Sequence, residues 1–199
     1  EGSIGVLGIS YRKDSNGVLK RDEFGTKPNA GDVGVVNKGK IELDGKKAVG
    51  IYIENNDSNT TAPHTIEATN DTNGTINMSG QEAIGMAAKL GNLVNKGTIN
   101  INGQESTGLF GKATSYLENT GTINLVSSVS EDKPNIGMFT EDQDTKIHNS
   151  KDIIGGNNTY GIYGKTVKLS GSAKIKVGNN SVGVFSNGKY AAGLSAPTV

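Results

Sequence analysis

The chain has 199 residues with 20 basic and 20 acidic side chains, so its formal charge is zero, and it holds 29 Gly but no Cys and no Trp. Zero charge argues against a polyanionic partner such as nucleic acid or an acidic membrane, and the lack of Cys excludes a disulfide framework and thiolate metal sites. Hydrophobic residues reach only 33% of the chain, which predicts small aliphatic side chains buried in a narrow, extended core.

In chain order, the first recognisable element is Gly5-Val6-Leu7. It is followed by an irregular stretch of about residues 11–31. That stretch contains Asn16-Gly17, a strong hairpin signal between β-type residues. It also carries both arginines of the chain, Arg12 and Arg21, together with Tyr11, Lys13 and Phe24. Arginine and aromatic residues are enriched at recognition hot spots, so these five residues are the candidate ligand-binding set. The alternative is a solvated hairpin whose charges pair internally.

From Asn37 onward a repeated text takes over. Asn37-Lys38-Gly39-Lys40-Ile41-Glu42-Leu43 is echoed by Asn73-Gly74-Thr75-Ile76-Asn77-Met78 and by Asn95-Lys96-Gly97-Thr98-Ile99-Asn100-Ile101. Further copies lie at Asn119–Leu125, Asn149–Ile154 and Ala173–Val177. A second motif, Gly followed by two apolar residues, recurs at Gly5, Gly50, Gly85, Gly108, Gly137, Gly161 and Gly183. The step is 23 residues from Gly85 to Gly108, and 24 then 22 for the last two, so the base period is 22–24. Longer steps contain insertions at about 11–31, 54–70 and 126–134. The first two fall at the same phase of successive repeats and should emerge side by side. The second reads as a flexible polar loop, and the third should leave a different corner.

The segments are short, alternate apolar with polar, and favour β-branched residues, as strands do. Gly and Asn between them supply turns. Two or three strands and tight turns in such a period make one rung of a right-handed parallel β-helix. The expectation is an all-β solenoid of about seven rungs, forming one section across residues 1–199. Rungs stack about 4.8 Å apart, which puts Ile41, Ile76, Ile99, Ile123, Ile153 and Ile175 in one buried column. Leu43, Met78, Ile101, Leu125 and Val177 form the next column. Asn37, Asn95, Asn119 and Asn149 should stack as an amide ladder. Neither end shows a capping pattern, so the section is expected to continue into further rungs or a capping domain. Any export signal would lie outside it.

Sites for chemistry are sparse. Glu82 and Glu105 fall one rung apart at one corner, with Lys46 and Asn158 as their copies at other rungs. They are the one candidate acid–base pair, and solvated turn residues are the better reading. His64 and His148 lack companions at ligand spacing, and both read as surface residues. No catalytic residue, metal or cofactor is therefore expected.

The text Asn-x-Gly-Thr-Ile-Asn-Ile, a turn, then Gly-Leu/Met/Ile-Phe/Tyr resembles the passenger repeats of large type V autotransporter adhesins, most of all those of fusobacteria. The resemblance spans roughly residues 34–190. It implies export through an outer-membrane barrel, display on the cell surface, and attachment to a host-cell or bacterial-cell receptor, protein or glycan. It implies no membrane insertion by this section.

Overall fold

The computed structural model describes residues 2–10, 33–55 and 66–186. The strands repeat in threes. The first rung holds β1 (Ile4–Ser10), β2 (Val33–Asn37) and β3 (Lys40–Leu43). The second holds β4 (Val49–Asn55), β5 (Ile66–Asn70) and β6 (Thr75–Met78). The third comprises β7 (Ile84–Lys89), β8 (Gly91–Asn95) and β9 (Thr98–Ile101). The fourth comprises β10 (Thr107–Lys112), β11 (Tyr116–Asn119) and β12 (Thr122–Leu125). β13 (Asn135–Phe139), β14 (Lys146–Asn149) and β15 (Asp152–Gly155) build the fifth. β16 (Thr159–Tyr163), β17 (Thr166–Leu169) and β18 (Lys174–Lys176) build the sixth, and β19 (Val182–Phe185) opens a seventh.

Each strand pairs in parallel with its counterpart one rung away. The first sheet runs β1-β4-β7-β10-β13-β16-β19, the second β2-β5-β8-β11-β14-β17 and the third β3-β6-β9-β12-β15-β18. The fold is a right-handed parallel β-helix, as expected.

The six isoleucines of the third sheet are in register from Ile41 to Ile175. The middle four are fully buried. The neighbouring column holds from Leu43 through Leu125, but the next partner in register is Gly155, not Val177. Val177 lies just past β18 and packs its Cγ1 3.4 Å from where a Gly155 side chain would start. A missing side chain in one rung is thus filled from the rung beyond.

The isoleucine column explains the recurrent glycine of the first sheet. A Cβ on Gly85 would stand 2.9 Å from Ile99 Cγ2 and 2.7 Å from the Gly108 carbonyl oxygen. On Gly108 it would meet Ile123 Cγ2 at 3.0 Å and the Gly137 oxygen at 2.5 Å. Real Cβ atoms do not approach so closely, so only glycine lets the first and third sheets close on each other. The two sequence motifs are the two halves of one contact.

The corner between third and first sheets needs a left-handed residue. Lys47, Glu82, Glu105, Asn158 and Asn180 take φ values of 59, 58, 55, 54 and 51° there. The copy of Glu82 in the second rung is therefore Lys47 and not Lys46. In the fifth rung Pro134 holds the corner position, and its ring fixes a negative φ. There residues 126–134 join β12 of the third sheet to β13 of the first. Asn135 closes the gap by accepting from the Ser106 amide at 2.8 Å and donating to the Gly103 carbonyl at 2.9 Å.

The second insertion is shorter than the sequence pattern suggests. β4 continues to Asn55 and β5 starts at Ile66, so only 56–65 remain as insertion. Ile66, Ala68 and Asn70 are fully buried. The polar Glu67 and Thr69 between them disguise a strand as loop.

The amide ladder exists and has a fifth member. Asn37 donates to Asn70, Asn70 to Asn95, Asn95 to Asn119 and Asn119 to Asn149, each through a 2.8 Å Nδ2–Oδ1 bond. Asn70 takes the place the repeat assigns to Asn73, because the turn to Gly74 is two residues longer than that from Asn95 to Gly97. A second ladder runs on the outer face of the third sheet. Asn124 donates to Asn100, and Asn100 to Asn77, both at 2.8 Å; Asn77 then donates to Glu42 at 3.1 Å.

Candidate functional site

Tyr11, Arg12, Lys13, Arg21 and Phe24 lie outside the described residues, as does His64. What the described residues fix is where their segments attach. Residues 11–32 join β1 to β2, and 56–65 join β4 to β5. Both therefore leave the first sheet and enter the second at one corner of adjacent rungs. In the third rung that corner is a single residue, Leu90, held at φ 55°.

The corner carboxylates are each paired with lysines of their own. Glu82 accepts from Lys46 at 2.9 Å and lies 3.5 Å from Lys47. Glu105 accepts from Gln81 at 2.8 Å and pairs with Lys133 at 3.1 Å. The Lys46 hydrogen bond holds Glu82 below its ordinary value, and the Gln81 and Lys133 bonds do the same for Glu105. An acid–base pair needs one carboxyl pushed upward; both of these are pushed down.

His148 is not an isolated surface histidine. It stands on the outer face of the second sheet in register with Glu118 below and Lys168 above. Its Nδ1 lies 3.1 Å from Glu118 Oε1 and 3.1 Å from the Tyr116 hydroxyl, and its Nε2 lies 2.6 Å from Ser170 Oγ. The His148 side chain is only 16% exposed. Burial, then the Glu118 charge, raises the Tyr116 hydroxyl above its ordinary value and keeps it protonated. The signal was present in the sequence: Glu118 and His148 each immediately precede a ladder asparagine, so one register superposes them.

The outer face of the first sheet is aromatic. Phe110, Phe139, Tyr163 and Phe185 stack along the rod with centroid spacings of 5.6, 5.4 and 4.8 Å. Only Tyr163 and Phe185 stack face to face, at 16° between planes, whereas Phe139 meets Tyr163 edge to face at 67° and Phe110 is tilted 32° against Phe139. In an earlier rung Tyr52 donates to Glu54 at 2.8 Å, and Lys89 holds the other oxygen of that carboxylate at 2.6 Å. Burial and this carboxylate push the Tyr52 hydroxyl up to about 12. No group of three or more His, Cys, Asp or Glu that could hold a metal occurs among the described residues.

The stacked sheets, glycine-locked core and corner insertions define a solenoid domain of the pectate-lyase-like β-helix class. Within that class, the family model for the BigA third pectate lyase-like domain matches residues 13–152, more than half of the chain. The chain belongs to that family. No curated protein and no solved structure matches it. The matched span includes Glu118 and His148, whereas Ser170 lies beyond it.

Proposed function

We propose that this chain is a section of a bacterial surface adhesin, a stiff rod that presents recognition loops away from the cell. The observation that carries this reading is the attachment of the two longest insertions, 11–32 and 56–65, to one corner of adjacent rungs. Loops on a rigid scaffold are where binding residues concentrate, and additive stacking of rungs gives the rod its stiffness. The family match supports a β-helical passenger. The resemblance to autotransporter passengers supports export through an outer-membrane barrel and placement on the extracellular side. Within this reading Tyr11, Arg12, Lys13, Arg21 and Phe24 contact a receptor on a host or bacterial cell. Glu82 and Glu105 do no acid–base chemistry, and no cofactor is called for.

The test compares binding of the purified chain to host cells, bacterial cells and a glycan array with that of a version in which residues 11–31 become a short Gly-Ser turn. Binding that disappears with the segment, while the strand spectrum is retained, supports the reading. Equal binding by both moves the site to another face. No binding by either makes this section a spacer.

A further inference from the structure

We propose that Ser170, His148 and Glu118 form a nucleophile–base–carboxylate triad that cleaves carboxylic esters at the edge of the second sheet. The display reading above does not require it. The two stand on different residues.

The geometry is that of an activated hydroxyl. A carboxylate oxygen only accepts hydrogen bonds, so with the ring neutral Glu118 requires the proton on Nδ1 of His148. Nε2 is then a bare lone pair facing Ser170 Oγ at 2.6 Å. A nucleophile bonded to a base that is itself oriented by a third group is the recurrent arrangement of acyl-transfer sites, whatever fold carries it. The parts sit on rigid elements: Glu118 and His148 are in register on β11 and β14. Ser170 opens the turn after β17, and its amide donates to the Asn149 carbonyl at 3.1 Å. Tyr116 is a positioning residue, its hydroxyl 3.1 Å from Nδ1 on the side opposite the reacting atom.

The turn after the nucleophile supplies the remaining element. Ala173 N–H donates to the Ser170 carbonyl at 3.2 Å, and Gly171 between them takes φ 62°. A turn with positive φ at its second residue favours Gly. Gly171 and Ser172 are exposed, and their amides donate to no backbone carbonyl among the described residues. They are the donors available to an oxyanion. Lys146 and Lys168, both exposed, stand two residues before His148 and Ser170. Their charges favour an ester borne on an anionic carrier.

In the reaction, Ser170 Oγ bonds to the ester carbonyl carbon as its proton passes to His148 Nε2, and the carbonyl electron pair becomes the oxyanion. Collapse breaks the bond to the alcohol oxygen, which leaves with the proton from His148. Water, deprotonated by His148, then attacks the acyl-serine and releases the carboxylic acid. The proton returns to Ser170 Oγ, and nothing is oxidised or reduced.

The test treats the intact chain with a fluorophosphonate probe and, separately, with 4-nitrophenyl acetate. The expected result is a phosphonyl adduct mapped to Ser170 by peptide mass spectrometry. Ester hydrolysis should fall about a hundredfold or more in Ser170→Ala and His148→Gln, and by a smaller factor in Glu118→Gln. Ser150→Ala, one rung below, should keep the full rate. No adduct, an adduct on another residue, or hydrolysis equal to that of Ser170→Ala overturns the assignment. Should Ser170→Ala fail to fold, Ser170→Cys replaces it. Its alkylation by iodoacetamide should be faster than that of Ser170→Cys combined with His148→Gln, and equal rates overturn the proposal. Cell binding by Ser170→Ala should match the parent chain, so failure here leaves the display reading to its own experiment.

Discussion

Two ladders of asparagine run along this rod with the same 2.8 Å bond, and they differ in what surrounds it. In the corner ladder Asn70, Asn95, Asn119 and Asn149 are 0% exposed. Their second N–H groups reach further carbonyls, as Asn95 does to Thr122 at 3.3 Å. In the outer ladder Asn77, Asn100 and Asn124 are half-buried, with water at hand. Equal geometry therefore does not mean equal energy. A net hydrogen bond contributes about 1 kcal/mol, but a buried polar group left unpaired costs the full desolvation penalty. The corner ladder is a commitment that no member can leave, whereas the outer one is a surface decoration that water can replace.

The sharpest way to break the comparison is Asn95→Asp. At neutral pH the new carboxylate still accepts from Asn70 but sets an oxygen against Asn119 Oδ1, inside the protein. The expected loss is about 4 kcal/mol, the scale of an uncompensated buried charge. Such a group has a folded-state pKa above its unfolded value. Stability should therefore be highest in acid, where the O–H can donate, and fall as pH rises through that raised value. Urea unfolding across pH reads this directly, and a flat profile sinks the directional ladder.

Next comes Asn95→Ala, which removes a donor and an acceptor and leaves a small void. It should cost about 3 kcal/mol by urea midpoint. Asn100→Ala on the outer face should cost about 0.5–1 kcal/mol; equal losses at the two positions would erase the distinction. The smallest effect lies at the foot of the outer ladder. Hydrogen bonds from Lys40 and then Asn77 hold Glu42 below its ordinary value. Its contribution is present above the ordinary carboxylate range and disappears as pH falls through the lowered folded value. The Asn77 side-chain amide resonance should titrate there, and Glu42→Gln should abolish that titration.

The same ladders show where sequence reading succeeds and stops. Ile99, Gly108 and Asn119 are legible because the base period repeats without change around them. Asn70 is hidden because Asp71–Asn73 lengthen its turn, and a fixed period then lands on Asn73. Lys46 and Lys47 are hard to tell apart for a related reason: the left-handed corner is a backbone property, and two adjacent lysines look alike. The surroundings of His148 went unread because Glu118 and Ser170 are 30 and 22 residues away along the chain. Contacts in a solenoid are local in rungs and remote in sequence. The outer amide ladder was visible as Thr-Ile-Asn three times over, but an alternating pattern shows only that the asparagine points outward. It does not show that each amide has its neighbour as partner.

The glycine–isoleucine contact has one more consequence, for how such a chain grows. Gly85 and Ile99 belong to the same rung, as do Gly108 and Ile123. A duplicated stretch of coding sequence one period long carries both the projection and the space that receives it. Each new copy is self-fitting from the moment it arises, without compensating change in its neighbours. Lengthening the rod by whole rungs is thus the mutation this architecture tolerates best, while half a rung inserted between a glycine and its isoleucine parts that pair.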